Sequence, residues 1–368
     1  MKVTLGTAVL TLLLVALSPR LSSAQVANSP PQATPPFYPD KTKLLVWRDS
    51  EGKQHPIQTA ADWAKRRAHI LAGMELVMGA LPDAQKKVPL DIQIIEEMKT
   101  DKFVRRKLTF AVEKAERVPA YLLIPAKLDG KRPAVLCLHQ TTRFGKNEPA
   151  GLEGNPRLHY ALHLAERGYV TLAPDYPNYG GEYKVDPYKQ GYASATMKGI
   201  WNHMRAIDLL RSLPQVDPER IGVIGHSLGG HNSMFVAAFD PRIKCIVSNC
   251  GFASLPSHKT GIAGWSGYNT YMPRIRTVYD TKVEKMPFDF PEVVAALAPR
   301  PFLASSPIKD SNFDVDGVKV CIAAGKPVYD LFDAGEKLAA NHPDCGHDFP
   351  PEAREVAYRW LDRWLKEE

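Results

Sequence analysis

Ser227 stands in Gly225-His226-Ser227-Leu228-Gly229, a G-x-S-x-G pattern. The pattern alone is weak, since a glycine-rich turn with a capping serine would look the same. Its setting says more. An apolar run, Ile221–Gly225, leads into it, and a helix-forming stretch, Leu228–Phe239, follows at once. A turn that sharp between strand and helix needs small flanking residues, which Gly225, Gly229 and Gly230 supply. It would lift the Ser227 hydroxyl above the sheet and aim the Leu228 N–H at the same point. Such a serine is a nucleophile only if a base takes its proton.

His347, in Cys345-Gly346-His347-Asp348-Phe349, is the leading base, because it lies in a loop just before the last helix. His139, His226, His231 and His342 compete. His139 ends a strand and is placed for an oxyanion loop, His226 and His231 sit too close to the turn, and His342 belongs with the final strand. The acid that orients the base should fall between serine and histidine in the chain. Asp310 is the first acid past the strand Pro301–Ala304. Asp314 and Asp316 are the alternatives, with turn formation as their plainer role.

The elements that must hold these groups alternate. Phe103–Val112 and Val118–Ile124 read as paired strands, and Ala134–His139, Tyr169–Ala173 and Ile243–Ser248 as further strands. Helices fall at Arg157–Arg167, Ala193–Leu213, Phe290–Leu297 and Glu352–Lys366, and a last strand near Lys337–His342. This alternation implies βαβ units and a parallel sheet covered on both faces. Residues 251–286, rich in Gly, Ser and aromatics, break the pattern and read as an insertion after the sixth strand. Thr59–Leu81 has helical apolar spacing and should pack on the core.

The chain has 368 residues, 44% of them hydrophobic and 24% charged, which excludes a largely disordered or fibrous protein. Its net charge of +7 is spread without a basic run, so a nucleic-acid partner is not expected. A mild preference for acidic polysaccharide is the alternative reading of that charge. Lys2, the apolar Val3–Leu17 and Ser22-Ser23-Ala24 form a secretory signal peptide over residues 1–24. Export follows, to the medium or periplasm, with no membrane insertion after cleavage. A Pro-rich leader covers 25–40, an N-terminal helical segment 41–102 and the main domain 103–368. The five cysteines are too few and odd in number to staple the fold; Cys250 with Cys345 is the pair to examine for one bridge.

Several segments together resemble the α/β-hydrolase superfamily, and more narrowly its secreted dienelactone-hydrolase-like and acetyl-xylan-esterase-like branch. They are Leu136-Cys137-Leu138-His139-Gln140, Ala173-Pro174-Asp175-Tyr176, Val216-Asp217-Pro218-Glu219-Arg220-Ile221-Gly222, the Ser227 turn, Ala298-Pro299-Arg300-Pro301 and Gly346-His347. The resemblance implies a mostly parallel eight-stranded sheet and a Ser227–Asp310–His347 triad. It departs in using Ser227 where dienelactone hydrolases use cysteine, and in reading His139-Gln140-Thr141 where many relatives have His-Gly. Leu228 and either Gln140 or Thr141 would then supply the oxyanion hole. The implied activity is carboxylic ester hydrolysis on acyl or methyl esters of polysaccharides, with neither metal nor cofactor. Tyr176, Tyr179, Trp265 and Tyr268 are candidate substrate contacts, and packing of the insertion is their competing role. A serine peptidase of the prolyl-oligopeptidase type and a silent hydrolase-fold binding protein are the alternatives. Oligomeric state is not legible.

Overall fold

A computed structural model describes residues 34–366. The signal peptide assigned to residues 1–24, and most of the leader assigned to 25–40, fall outside them. From Pro35 onward the chain forms one compact unit.

The strands are β1 (Val46–Arg48), β2 (Gln54–Pro56), β3 (Gln93–Lys99), β4 (Phe103–Glu113), β5 (Glu116–Pro125) and β6 (Arg132–Leu138). They continue with β7 (Val170–Pro174), β8 (Val216–His226), β9 (Cys245–Asn249), β10 (Phe302–Ser305) and β11 (Leu338–Asn341). The helices are α1 (Ala60–Met78), α2 (Tyr160–Glu166), α3 (Ala195–Ser212), α4 (Leu228–Phe239), α5 (Arg274–Thr277), α6 (Phe290–Ala296), α7 (Val315–Asp330) and α8 (Pro351–Leu365). β1 and β2 form a small antiparallel hairpin; the rest form one sheet ordered β11-β10-β9-β8-β6-β7-β5-β4-β3. The six strands from β6 to β11 run parallel, and β3, β4 and β5 are antiparallel to their neighbours.

The central strands read as continuous apolar runs because both faces are covered. On β6, Val135 and Cys137 face the layer that includes α2 and α8, while Ala134, Leu136 and Leu138 face the larger core under α1, α3, α4 and α6. Among the described residues no helix is long and apolar enough to cross a membrane.

Three sequence expectations change. The sheet has nine strands rather than eight, and it starts at Gln93, so the boundary at residue 103 cuts through it. β3 is an edge strand with Ile94 and Ile95 more than half exposed, so it lacks the buried pattern that marks a strand in sequence. α7 leaves no clear helical period in the sequence, because the apolar Val320 and Ala323 lie on its exposed side and Pro327 sits within it. β11 is an edge strand of Leu, Ala and Asn, held by parallel pairing to β10 rather than by β-branched side chains.

α1 forms where Thr59 caps it by accepting the Asp62 N–H. Its buried Arg66 pairs with buried Glu292 on α6, and Arg67 donates to the Ala296 and Ala238 carbonyls at the ends of α6 and α4. The N-terminal segment is thereby bound to α4, the helix that follows Ser227.

Candidate active site

β8 ends at His226 and α4 begins at Leu228, leaving Ser227 alone between them. Its backbone lies at φ 55° and ψ −114°, a conformation costing roughly 1–3 kcal/mol in a non-glycine residue. The surroundings enforce it. The Ser227 N–H donates to the Asn249 carbonyl at 2.9 Å, and the Ser227 carbonyl accepts the His231 N–H at 3.2 Å. The glycines of the motif are required by contact. A Cβ on Gly229 would lie 1.9 Å from the Leu138 carbonyl oxygen, and one on Gly225 2.2 Å from that of Gly229. A Cβ on Gly230 would lie 2.7 Å from Gly251 Cα. The turn thus packs backbone against backbone, with the Leu228 N–H at the start of α4 lacking a helical partner.

His347 lies in the loop between β11 and α8. Its Nδ1 is 2.8 Å from Asp310 Oδ2. Asp310 is 2% exposed and follows β10. Its Oδ1 accepts the N–H groups of Asn312 at 2.7 Å and Phe313 at 3.1 Å. Burial by itself would raise the Asp310 carboxyl, but the bond and charge of His347 and these two N–H groups outweigh it and hold the pKa below its usual value. A carboxylate kept ionised beside Nδ1 makes that nitrogen the donor and leaves Nε2 as the acceptor. The imidazole packs against His226, with ring centroids 4.8 Å apart, and burial followed by the His347 charge lowers the His226 pKa to about 3. His226 is therefore a neutral wall to the base.

Ser227, Leu228, His347, Gln140 and Thr141 line one cleft of about 340 Å³, together with Trp265. The Gln140 side chain is drawn to Glu148 at 2.9 Å, and the Thr141 hydroxyl to the Tyr271 hydroxyl at 2.8 Å. His139 is buried, bridged between the Gln140 carbonyl and the Tyr176 N–H, and so fixes the loop that carries Gln140.

The other candidates are placed elsewhere. Asp314 caps α7 by accepting the Asp316 N–H, and Asp316 pairs with Lys319. His342 bonds the Ser306 carbonyl at 2.9 Å. Tyr176 is buried, donates to the Thr270 carbonyl and lies against Gly199, so it braces the insertion and does not line the cleft. Tyr268 is 61% exposed and stacks on Tyr188, 4.1 Å between centroids, outside the cleft. Tyr179 lines a neighbouring groove. Of the four aromatic candidates, Trp265 is the one that lines the cleft.

Sequence reasoning passed over His231, His258 and Phe313 as cleft residues. His231, one turn into α4, packs on Trp265 at 4.6 Å, and neither ring nitrogen reaches a hydrogen-bond partner. Burial drives its pKa down to about 3. The spacing Ser227-x-x-x-His231 was the available signal, since it places both residues on one side of a helix.

Cys250, Asp310 and His347 offer ligand atoms all within 4.8 Å of one another. The carboxylate oxygens are already engaged by three donors, and burial pushes the Cys250 thiol up, so it stays protonated. The trio reads as an acid–base pair with an inert thiol behind it. All five cysteines are free, Cys250 and Cys345 included.

Known proteins resemble parts of this chain. A family model described as glucuronyl esterase, fungi, matches residues 180–333. "Putative hydrolase YtaP" of Bacillus subtilis (strain 168) is 27% identical over 302 residues, covering 78% of this chain and 96% of its own. The 4-O-methyl-glucuronoyl methylesterase 1 of Wolfiporia cocos (strain MD-104) is 25% identical over 195 residues; the match covers 48% of this chain and 47% of that relative. Among solved structures, a glucuronoyl esterase from Solibacter usitatus superposes with a TM-score of 0.71 at 21% identity, covering 90% of this chain and 98% of that one. Fold and relatives agree on the class. The chain has the α/β-hydrolase fold. The glucuronyl esterase match covers less than half of the chain, from the loop after β7 through α7, and includes Ser227 and Asp310.

Proposed function

We propose that the protein hydrolyses carboxylic esters on polysaccharides through Ser227, His347 and Asp310. The observation that carries this reading is the Asp310–His347 bond set into the same cleft as the strained Ser227 turn. In the first step His347 Nε2 takes the Ser227 proton as Oγ bonds the ester carbonyl carbon. Asp310 holds the ring and balances the imidazolium. The Leu228 N–H and that of Gln140 or Thr141 receive the oxyanion; one such donor is typically worth about 10²–10³ in rate. The intermediate collapses, and the alcohol leaves with the proton from His347. Water, deprotonated by His347, then attacks the acyl-serine, and the carboxylic acid departs as Ser227 is reprotonated.

The names of the relatives, which include a glucuronoyl methylesterase and an acetyl esterase, support a polysaccharide ester as substrate. The mouth of the cleft is polar and aromatic, which suits a sugar ring. Residues 1–24 direct export, and N-terminal sequencing of the processed protein should begin at Gln25. Turnover of acetylated xylan and of a methyl glucuronate, each with wild type and Ser227→Ala, tests the activity. Loss of all turnover in the variant is expected; equal turnover in both would remove Ser227 from the reaction.

A further inference from the structure

A second concavity of about 450 Å³ adjoins the cleft and shares Thr141 with it. Its walls are the segment after β6, with Thr142 and Arg143, and the loop after β7, with Tyr179 and Lys184. No carboxylate lines it. Arg143 and Lys184 are both exposed, and among the described residues neither forms a salt bridge. Of the two acids nearest Lys184 in the chain, Glu182 is already taken by Lys107 and Lys146, each at 2.9 Å, and Asp186 pairs with Lys189 at 3.8 Å.

The groove is built on a rigid floor. Buried Lys146 pairs with buried Asp175 at 2.9 Å, and the Lys146 N–H donates to the other Asp175 oxygen. Gly180 lies against that carboxylate so closely that a Cβ would fall 2.5 Å from Asp175 Oδ1. The two walls are therefore fastened together beneath the groove, and its cations are presented on a preformed surface.

The geometry points to an accessory subsite for a carboxylate-bearing sugar, a uronic acid unit next to the esterified one, held by Arg143 and Lys184 with Tyr179 as a stacking face. The inference rests on the polysaccharide reading above. An unneutralised guanidinium and ammonium in one groove attract an anion, and the guanidinium matches the two oxygens of a carboxylate. Thr141 borders both, so a chain lying in the groove passes directly into the cleft.

Calorimetric titration of wild type and of the double variant Arg143→Gln/Lys184→Gln with tetragalacturonate and with neutral cellotetraose tests it. The quantity read is the ratio of the two affinities. Wild type should favour tetragalacturonate by about tenfold at low ionic strength, the preference shrinking as salt rises. The double variant should lose the preference while keeping its unfolding midpoint. No binding of tetragalacturonate, equal affinity for the two, or a preference that survives the substitutions would each overturn the subsite. This readout needs no turnover, so a failure of the ester-hydrolase reading shows separately, in the Ser227→Ala comparison.

Discussion

Asp310→Asn separates the role of the acid from its contribution to the fold. Asp310 Oδ1 accepts two backbone N–H groups, at 2.7 and 3.1 Å, and Oδ2 accepts from His347 at 2.8 Å. In the variant the amide oxygen must keep the two backbone donors, because an NH₂ group cannot accept them. The NH₂ group then faces His347 Nδ1 and forces that nitrogen to accept. The ring proton moves to Nε2, the atom that has to receive the Ser227 proton. In the serine-protease example of this substitution the loss in kcat is about 10⁴, or roughly 5.5 kcal/mol of transition-state stabilisation, and the same order is expected here. The fold should persist, since both backbone bonds survive. Asp310→Ala should lose rate and stability together, because two N–H groups lose their acceptor at about 1–3 kcal/mol each. The assay is initial-rate hydrolysis of p-nitrophenyl acetate with thermal unfolding of each variant alongside. A folded Asp310→Asn protein within tenfold of wild type would refute the assignment, as would an equal loss from Asp314→Asn, whose carboxylate only caps α7.

Three further outcomes follow from the same geometry. Gly229→Ala should not fold stably, since its Cβ would lie 1.9 Å from backbone, whereas Gly346→Ala, whose nearest neighbour is 3.9 Å away, should shift stability by no more than about 0.5 kcal/mol; soluble yield and melting temperature decide. His231→Leu removes a buried imidazole with no hydrogen-bond partner and should leave stability unchanged or raise it by about 1 kcal/mol, while raising KM for a sugar ester relative to p-nitrophenyl acetate; an unchanged KM ratio would place His231 outside substrate recognition. Asp289, the cap of α6, is raised by burial from 3.8 to about 7, so the unfolded chain releases its proton first and stability should fall as pH rises through that window. Asp289→Asn keeps the cap and should flatten the slope in urea unfolding between about pH 4 and pH 7; an unchanged slope would assign the pH dependence to other groups.

The chemistry of the site was legible because it rests on local constraints. A strand, a sharp turn and a helix within a few residues leave few choices for Gly225, Gly229 and Gly230, and each is explained by a backbone contact. The buried strands were legible for a similar reason: apolar cover on both faces writes itself into the sequence as a continuous run. The edges were harder. β3 and β11 are held by hydrogen bonds to a neighbouring strand and carry side chains that would suit a loop equally well.

The sequence by itself determined the Ser227 turn, the alternation of strands and helices, and the short set of acids and histidines that could serve the serine. Tertiary structure placed them differently. Asp310 and Asp314 are equivalent in composition and nearly so in position, and the difference is that one is buried against His347 while the other caps a helix. Tyr176 and Trp265 are both aromatic residues in loops, yet one is a buried brace and the other a wall of the cleft. Backbone geometry over three or four residues is a local property, and residue type records it. Which side chains meet across a sheet depends on where distant loops are brought together, and no short stretch of sequence carries that information.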